Sequence, residues 1–396
     1  MKIMPNPYNP GAGMPPPYLA GRRKNMDEAK NILASIAAGM PVRSVMYYGL
    51  RGVGKTVLLN RIEEEAKELD IPTEFMELED KDKAFHKSIA FYIQKLIKRM
   101  SVKEKLADYG KQAMSIFKAF SIKYDLPDNG SIEVKPATGI SDTGDLQNDM
   151  TELFIALGKM AEKNEKGIIL FIDEIHNIDA DEFSALMAAM HRINQKGYPL
   201  AIFGAGLPKI AKLAGDIKSY AERLFQFKEI GKLPNEDATM ALIEPAKRFN
   251  TKYELDAVEK VLTETEGYPY FIQEYGKVTW DINGGALTIS RDTVEEAKEG
   301  FENNLDESFF KVRHDRATHK EICFMVAMAE CEEKPYKIGD VAEKLQTDVK
   351  SISPLRAQLV NKGLIYPVGR GVIDFTVPHF DKYLRRHYPD GIDQTE

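Results

Sequence analysis

The chain has 396 residues, 43% hydrophobic and 29% charged, the balance of a soluble globular protein rather than a disordered one. Its length suggests two to three domains, its formal charge is 54 − 61 = −7, and no apolar run approaches the roughly 20 residues that span a bilayer. These numbers exclude a wholly basic nucleic-acid coat protein and a helical membrane anchor while leaving a local basic patch open; two cysteines, Cys323 and Cys331, exclude a disulfide scaffold and fit a reducing cytoplasm.

Residues 1–20 are rich in Pro, Gly and Asn and read as an extended arm running over a domain surface without an element of its own. A helix follows over about Met26–Ala38. Ser44–Tyr48 is a short apolar strand. Beyond Gly49-Leu-Arg-Gly-Val-Gly-Lys-Thr56 comes a helix, Val57–Leu69, with Leu58, Ile62 and Ala66 on one face and a Glu63–Lys67 pair at i,i+4. Thr73–Leu78 reads as a second strand, and Phe85, Ile89, Ile93, Leu96 and Met100 recur at helical spacing. Residues 101–144 carry Gly, Pro, Asp and Ser clusters at Asp128–Ser131 and Pro136–Asp145, with short β-like pieces between, and read as a looped insertion. Positions 146, 150, 153, 157 and 160 are all apolar, an amphipathic helix. The purest apolar run, Ile168–Ile172, ends in Asp173–Glu174. A helix over about Asp181–Gln195 and strands at Leu200–Phe203 and Leu224–Ile230 complete the region. Alternating strands and helices imply an α/β core over 21–233, a parallel sheet with helices on both faces.

After Pro234 the pattern is helical, at about 236–247, 255–265, 270–282 and 291–312, with a break at Asn283-Gly-Gly285. This is an all-helical lid over 234–313, in which Tyr270 and Trp280 read as core. The tail, 314–396, has three helices, Lys320–Glu330, Ile338–Leu345 and Val349–Lys362. Gly363–Tyr366 and Val372–Val377 then flank Gly369-Arg-Gly371, the pattern of a winged helix-turn-helix.

Gly49–Thr56 fits G-x-x-x-x-G-K-[ST] without exception, with an apolar strand before it and a helix after. Gly49, Gly52 and Gly54 let the loop, including Leu50, Arg51 and Val53, fold its backbone amides round phosphates, and the helix N-terminus adds partial positive charge. Lys55 would reach the β- and γ-phosphates, and the Thr56 hydroxyl would ligate Mg²⁺. Asp173, ending a buried strand, would hold the same ion directly or through water. Glu174 can orient and deprotonate the attacking water, which favours hydrolysis over transfer to another substrate. His176 follows closely; packing or a surface position competes with nucleotide sensing or DNA contact. Arg223, in Ser219-Tyr-Ala-Glu-Arg-Leu-Phe225, precedes the last strand and is the arginine-finger candidate, with a surface ion pair as the other reading.

On these residues the chain resembles the AAA+ ATPases of the origin-recognition-like group, in which a P-loop core, a helical lid and a C-terminal winged helix follow one another. Closer still is the likeness to a set of bacterial and archaeal ATPases sharing the segments that read here Asn6–Gly11, Leu19-Ala-Gly-Arg22, Gly204-Ala-Gly-Leu-Pro208, Ser219–Phe225, Gly267-Tyr-Pro-Tyr-Phe271 and Phe375-Thr-Val-Pro378. The resemblance implies that Leu19–Arg22, with Arg22, lies against adenine, hence ATP as nucleotide. The arginine-finger candidate in turn implies side-by-side subunits, a homo-oligomer when ATP is bound, of a number that one residue does not fix. Two segments depart from the resemblance. The strand at Leu200–Phe203 runs into Gly204-Ala-Gly206, where such ATPases place a polar sensor. Gly267-Tyr-Pro269 replaces an arginine-bearing lid motif and is similar to the STAND signalling ATPases, in which the proline, here Pro269, contacts the nucleotide and hydrolysis is slow. A nucleotide-controlled switch is therefore expected rather than a motor.

The tail from Asp315 has twelve Lys+Arg against thirteen Asp+Glu, near neutral where dedicated DNA-binding modules are basic. The recognition-helix candidate nonetheless carries Lys350, Ser353, Arg356 and Lys362, the wing tip Arg370, and the last helix Lys382, Arg385 and Arg386. Double-stranded DNA, bound through phosphates, and a protein partner with very slow ATP turnover are the two readings of this tail.

Overall fold

The computed structural model describes residues 5–11, 13–79, 84–126 and 134–392. By their contacts they fall into two units.

The first unit comprises 22–49 and 55–230. In chain order it holds α1 (Arg23–Ala37), β1 (Ser44–Tyr48), α2 (Lys55–Glu68), β2 (Thr73–Glu77), α3 (Phe85–Ser101), α4 (Ala107–Lys123), α5 (Leu146–Asn164), β3 (Ile168–Asp173), α6 (Ala180–Lys196), β4 (Leu200–Gly206), α7 (Lys209–Ile217), α8 (Ala221–Leu224) and β5 (Phe225–Glu229). The five strands form one sheet in the order β2-β3-β4-β1-β5, every neighbouring pair parallel. Every residue of β3 and β4 is buried, as strands covered on both faces require. Parallel pairing brings all strand C-termini to one edge, where ligands of such sheets bind. The loops after β1 and β3 therefore emerge at that edge, with only β4 between the two strands. The Glu63–Lys67 pair on α2 closes at 2.8 Å.

Residues 101–144 correct the expectation of a looped, partly β insertion. A short 3₁₀ turn, Glu104–Leu106, leads into the seventeen-residue α4. Ala113, Met114, Phe117 and Phe120 are buried in the core that α3 and α5 also enter. Gly110 allows the close approach: a Cβ there would stand 1.9 Å from Ser101 Oγ. The cluster at Asp128–Ser131 lies outside the described residues. No strand forms in the described part of Pro136–Asp145; the buried Asp149 carboxylate organises it, accepting from the Thr143 and Gly144 N–H groups and the Thr143 and Tyr124 hydroxyls. The helices α7 and α8 were not expected from sequence.

The second unit comprises the arm through Gly21, residues 50–54 and the chain from Gly231. Its elements are α9 (Asn235–Lys247), β6 (Lys252–Tyr253), α10 (Leu255–Thr265), α11 (Pro269–Asn283), β7 (Thr288–Ile289) and α12 (Arg291–Asn304), which a π-helical turn, Leu305–Phe310, joins to α13 (Lys311–His314). There follow α14 (His319–Glu330), β8 (Tyr336–Lys337), α15 (Ile338–Lys344), α16 (Val349–Asn361), β9 (Ile365–Gly369), β10 (Val372–Phe375) and α17 (Phe380–His387). β8-β10-β9 form an antiparallel sheet, and β8, two residues long, adds a strand that periodicity does not signal. α14 opens with a capping box, Thr318 with Glu321. Trp280 is buried and Tyr270 half-buried on α11; Cys323 lies in α14 and Cys331 just beyond it, both buried.

The arm does more than run over a surface. Tyr8 is buried against α11, its hydroxyl donates to the Leu242 carbonyl at 2.7 Å, and it meets the Tyr253 hydroxyl at 2.9 Å. Gly276 makes the seat, since a Cβ there would lie 2.5 Å from the Tyr8 ring. Among the described residues no helix is long and apolar enough to cross a membrane.

Candidate nucleotide-binding site

The sheet unit gathers the loop's ends and the acidic strand end. Lys55 is the first residue of α2, buried, with Nζ donating to the Gly49 carbonyl at 3.1 Å. The ammonium thus folds back over the opening of its own loop. Thr56 Oγ1 donates to Asp173 Oδ2 at 2.5 Å, across 117 residues of sequence. Asp173 is fully buried at the end of β3, and its Oδ1 accepts the Glu174 N–H at 2.8 Å. A hydroxyl and a carboxylate oxygen so placed are the hard ligands Mg²⁺ takes, the rest of its shell being water and phosphate.

Glu174 turns the chain with a left-handed φ of 51° into a short 3₁₀ turn, Ile175–Asn177. His176 is interior, not on the surface. Its Nδ1 accepts the Leu207 N–H at 3.2 Å and its Nε2 lies 3.3 Å from Glu174 Oε2. Arg22 is the buried residue preceding α1, and Arg223 stands exposed on the four-residue α8.

In the second unit the middle of the loop is held by backbone bonds. The Arg51 N–H donates to the Thr376 carbonyl at 3.1 Å, and the Tyr270 N–H donates to the Gly52 carbonyl at 3.2 Å. Gly52 has φ +80° and a Cβ there would be 3.1 Å from the Tyr270 Cβ; Gly54 has φ +86° with open space around it. Leu50 is half-buried and Val53 buried. Pro269 is the first residue of α11, where its missing N–H costs nothing.

Gly267, two residues earlier, has φ +77°, and its carbonyl accepts the Leu233 N–H at 2.8 Å. A Cβ would meet the Leu233 carbonyl oxygen at 2.6 Å. Gly267→Ala is therefore expected to destabilise the protein by about 1–3 kcal/mol, read as a lower denaturant midpoint at unchanged m-value.

The neighbouring Glu266 carboxylate takes His379 Nε2 at 2.9 Å and Lys382 Nζ at 3.0 Å. The His379 hydrogen bond, then the Lys382 interaction, hold its carboxyl well below the usual carboxylate range against the opposing effect of burial. A depressed carboxylate stabilises the fold above its unfolded value and loses that contribution as pH falls toward the folded one. The stability difference between wild type and Glu266→Gln should be full above about pH 5 and shrink below about pH 4. Urea titrations of both proteins across that range would check it; a pH-independent difference is the contrary result.

The tail cations divide. Lys362 pairs with the buried Glu321 at 2.6 Å and donates to the Arg316 carbonyl. Lys382 pairs with Glu266, Arg385 donates to the Ala329 carbonyl at 2.6 Å, and Arg386 pairs with Asp306. These four hold the fold together. Lys350 and Arg370 are exposed, Ser353 is exposed with its hydroxyl on the Val349 carbonyl, and Arg356 is half-buried with its Nε unpartnered.

The structure thus brings Gly49, Lys55, Thr56, Asp173 and Glu174 together. It adds three partners that sequence reasoning missed: Leu207 for His176, Thr376 for Arg51 and Tyr270 for Gly52. Only the first left a trace in sequence, the glycines ending β4.

Residues 18–203 match the family described as AAA ATPase domain, and residues 307–384 match one described as a domain of unknown function (DUF8462). No curated protein matches the chain. Among solved structures, a Walker-type ATPase of Pyrococcus abyssi is similar at 14% identity and a TM-score of 0.53, over 93% of this chain and 96% of that one. The Aeropyrum pernix Orc1 protein in complex with DNA follows at 15%, TM-score 0.48, over 93% of each chain. The Thermotoga maritima RuvB Holliday junction branch migration motor is similar at 15%, TM-score 0.44, over 92% and 95%. At such identities the first likeness speaks for the fold, a parallel five-stranded sheet with flanking helices. The match over residues 18–203 and the five-stranded parallel sheet point the same way: this part of the chain is similar to an AAA ATPase domain.

Proposed function

We propose that this protein binds ATP with Mg²⁺ and hydrolyses it slowly, as a conformational switch. The observation that carries the reading is the bond of Thr56 to Asp173 with Lys55 poised at the loop's opening. Thr56 and Asp173 would hold Mg²⁺, which when bound neutralises charge on the phosphates. Lys55 and the loop amides bind phosphate oxygens in place of the internal bond Lys55 now makes. Glu174 takes a proton from water as the water oxygen bonds the γ-phosphorus. The bond from γ-phosphorus to the β–γ bridging oxygen breaks, giving ADP and phosphate. Arg223 of one subunit serves as finger toward its neighbour in an ATP-bound homo-oligomer, and Arg22 and Pro269 complete the nucleotide's surroundings.

In this reading an arm (1–20), a core (21–233), a lid (234–313) and a winged helix-turn-helix (314–396) divide the labour. The internal engagement of Lys362, Lys382, Arg385 and Arg386 supports a regulatory switch with a protein partner over an extended DNA grip. DNA association rests on Lys350, Ser353, Arg356 and Arg370. Mobility shifts of duplex DNA with ATP, with ADP and without nucleotide decide between them. The regulatory reading expects no retardation; a salt-sensitive shift, lost when Lys350, Arg356 and Arg370 are neutralised, establishes the DNA reading instead. Titration with Mg-ATP tests the nucleotide itself: no binding ends the whole proposal.

A further inference from the structure

β4 ends in Gly204-Ala-Gly206, with no polar side chain, and the structure shows what stands against these glycines. A Cβ on Gly204 would lie 2.4 Å from Met46 Sδ. A Cβ on Gly206 would lie 3.2 Å from the His176 backbone nitrogen and 3.4 Å from its Cβ. Gly204 makes room for Met46, and Gly206 makes room for His176, which comes from the loop after the neighbouring strand β3. Its side chain is only 2% exposed, against 23% for Glu174.

One hydrogen bond sets the ring's tautomer. Leu207, the first residue after β4, donates its N–H to Nδ1. A nitrogen that accepts an N–H bears no proton, so the neutral ring carries its hydrogen on Nε2. That nitrogen is the one 3.3 Å from Glu174 Oε2. The backbone after β4 thereby aims a single donor at the carboxylate from which the reaction needs a defined orientation. Glu174 itself leaves β3 in a left-handed turn.

We propose that His176 is a positioning residue for Glu174. It is a buried, tautomer-fixed donor that orients the carboxylate from the loop after β3, held there by the backbone that follows β4. This rests on the ATPase reading of Glu174. His176 touches neither nucleotide nor water in this role. It sets where the carboxylate points, and a misplacement of about 1 Å at a reacting group is worth up to roughly 100-fold in rate.

The test separates this from the ATPase reading itself. Turnover of wild type and Glu174→Gln is measured first; if wild type turns over no ATP, or Glu174→Gln is as fast, the reading of Glu174 fails. With Glu174 established, His176→Ala should lower kcat by about 10-fold or more while the Kd for Mg-ATP moves less than about 3-fold. His176→Gln, whose amide nitrogen reaches the Nε2 position, should restore most of kcat. His176→Asn, which reaches only Nδ1, should not. In a Glu174→Gln background His176→Ala should cost nothing further. Should His176→Ala fail to fold, the Gln and Asn variants carry the comparison alone. Nitrogen-15 spectra of the histidine ring supply a readout free of turnover: a proton on Nε2 and none on Nδ1 is expected. A proton on Nδ1, equal kcat in the Asn and Gln variants, or a loss of the same size with and without Glu174 would each overturn the proposal.

Discussion

Lys55→Ala is expected to weaken ATP binding by about 10- to 100-fold, because charge-assisted hydrogen bonds to a buried ammonium are worth roughly 1.5–3 kcal/mol. The loss should fall on binding rather than on folding. The ammonium bonds the Gly49 carbonyl, at the start of its own loop, and ties no distant element down through that bond. Alanine is the best helix former and Lys55 opens α2, so the helix keeps its start. The charge is also desolvated, which strengthens its pull on a phosphate relative to a surface lysine. Fluorescent-nucleotide titration beside a thermal melt measures both quantities. Equal affinities in wild type and variant, at equal melting temperature, would remove the loop from its role.

Glu174→Gln is expected to lower turnover by about 10²- to 10⁴-fold, the range that general base catalysis supplies, while ATP stays bound. The amide keeps the size of the side chain and can still orient a water, but it cannot accept the water's proton. The substitution also preserves the left-handed backbone at this position as well as glutamate does. The variant should therefore trap the ATP state, which makes it the reagent for finding whatever the tail binds. Quench-flow of radiolabelled ATP separates the effect on chemistry from any on release. A variant that hydrolyses at the wild-type rate would show that another group takes the proton.

Much of this site was legible because its signals are local. The G-x-x-x-x-G-K-T spacing needs only eight consecutive residues, and Gly52 and Gly54 at positive φ show why glycine must stand there. The run at Ile168–Ile172 is apolar because β3 is covered on both faces, so burial announces itself in composition. The same logic misled at 101–144. The Gly and Pro clusters that follow α4 dominated the pattern, and a helix whose buried face includes Gly110, Ala113 and Ala119 is weakly amphipathic to the eye.

What sequence by itself determined is the set of elements whose signals lie within a few residues: the glycine-rich loop, the strand with its acidic end, and the helix and hairpin order of the tail. Only the tertiary structure decided which charges are already engaged. Lys362 on Glu321 spans 41 residues, Lys382 on Glu266 spans 116, and the Tyr8 hydroxyl on the Leu242 carbonyl spans 234. A cation offered to a phosphate and a cation holding a buried carboxylate have the same one-letter code, and nothing in their neighbours distinguishes them. His176 is the sharpest case. Its place beside Glu174 is local, but its tautomer is set by a backbone N–H 31 residues away. Hydrogen bonds depend on where atoms stand in space, and periodicity reports only which face of an element is dry.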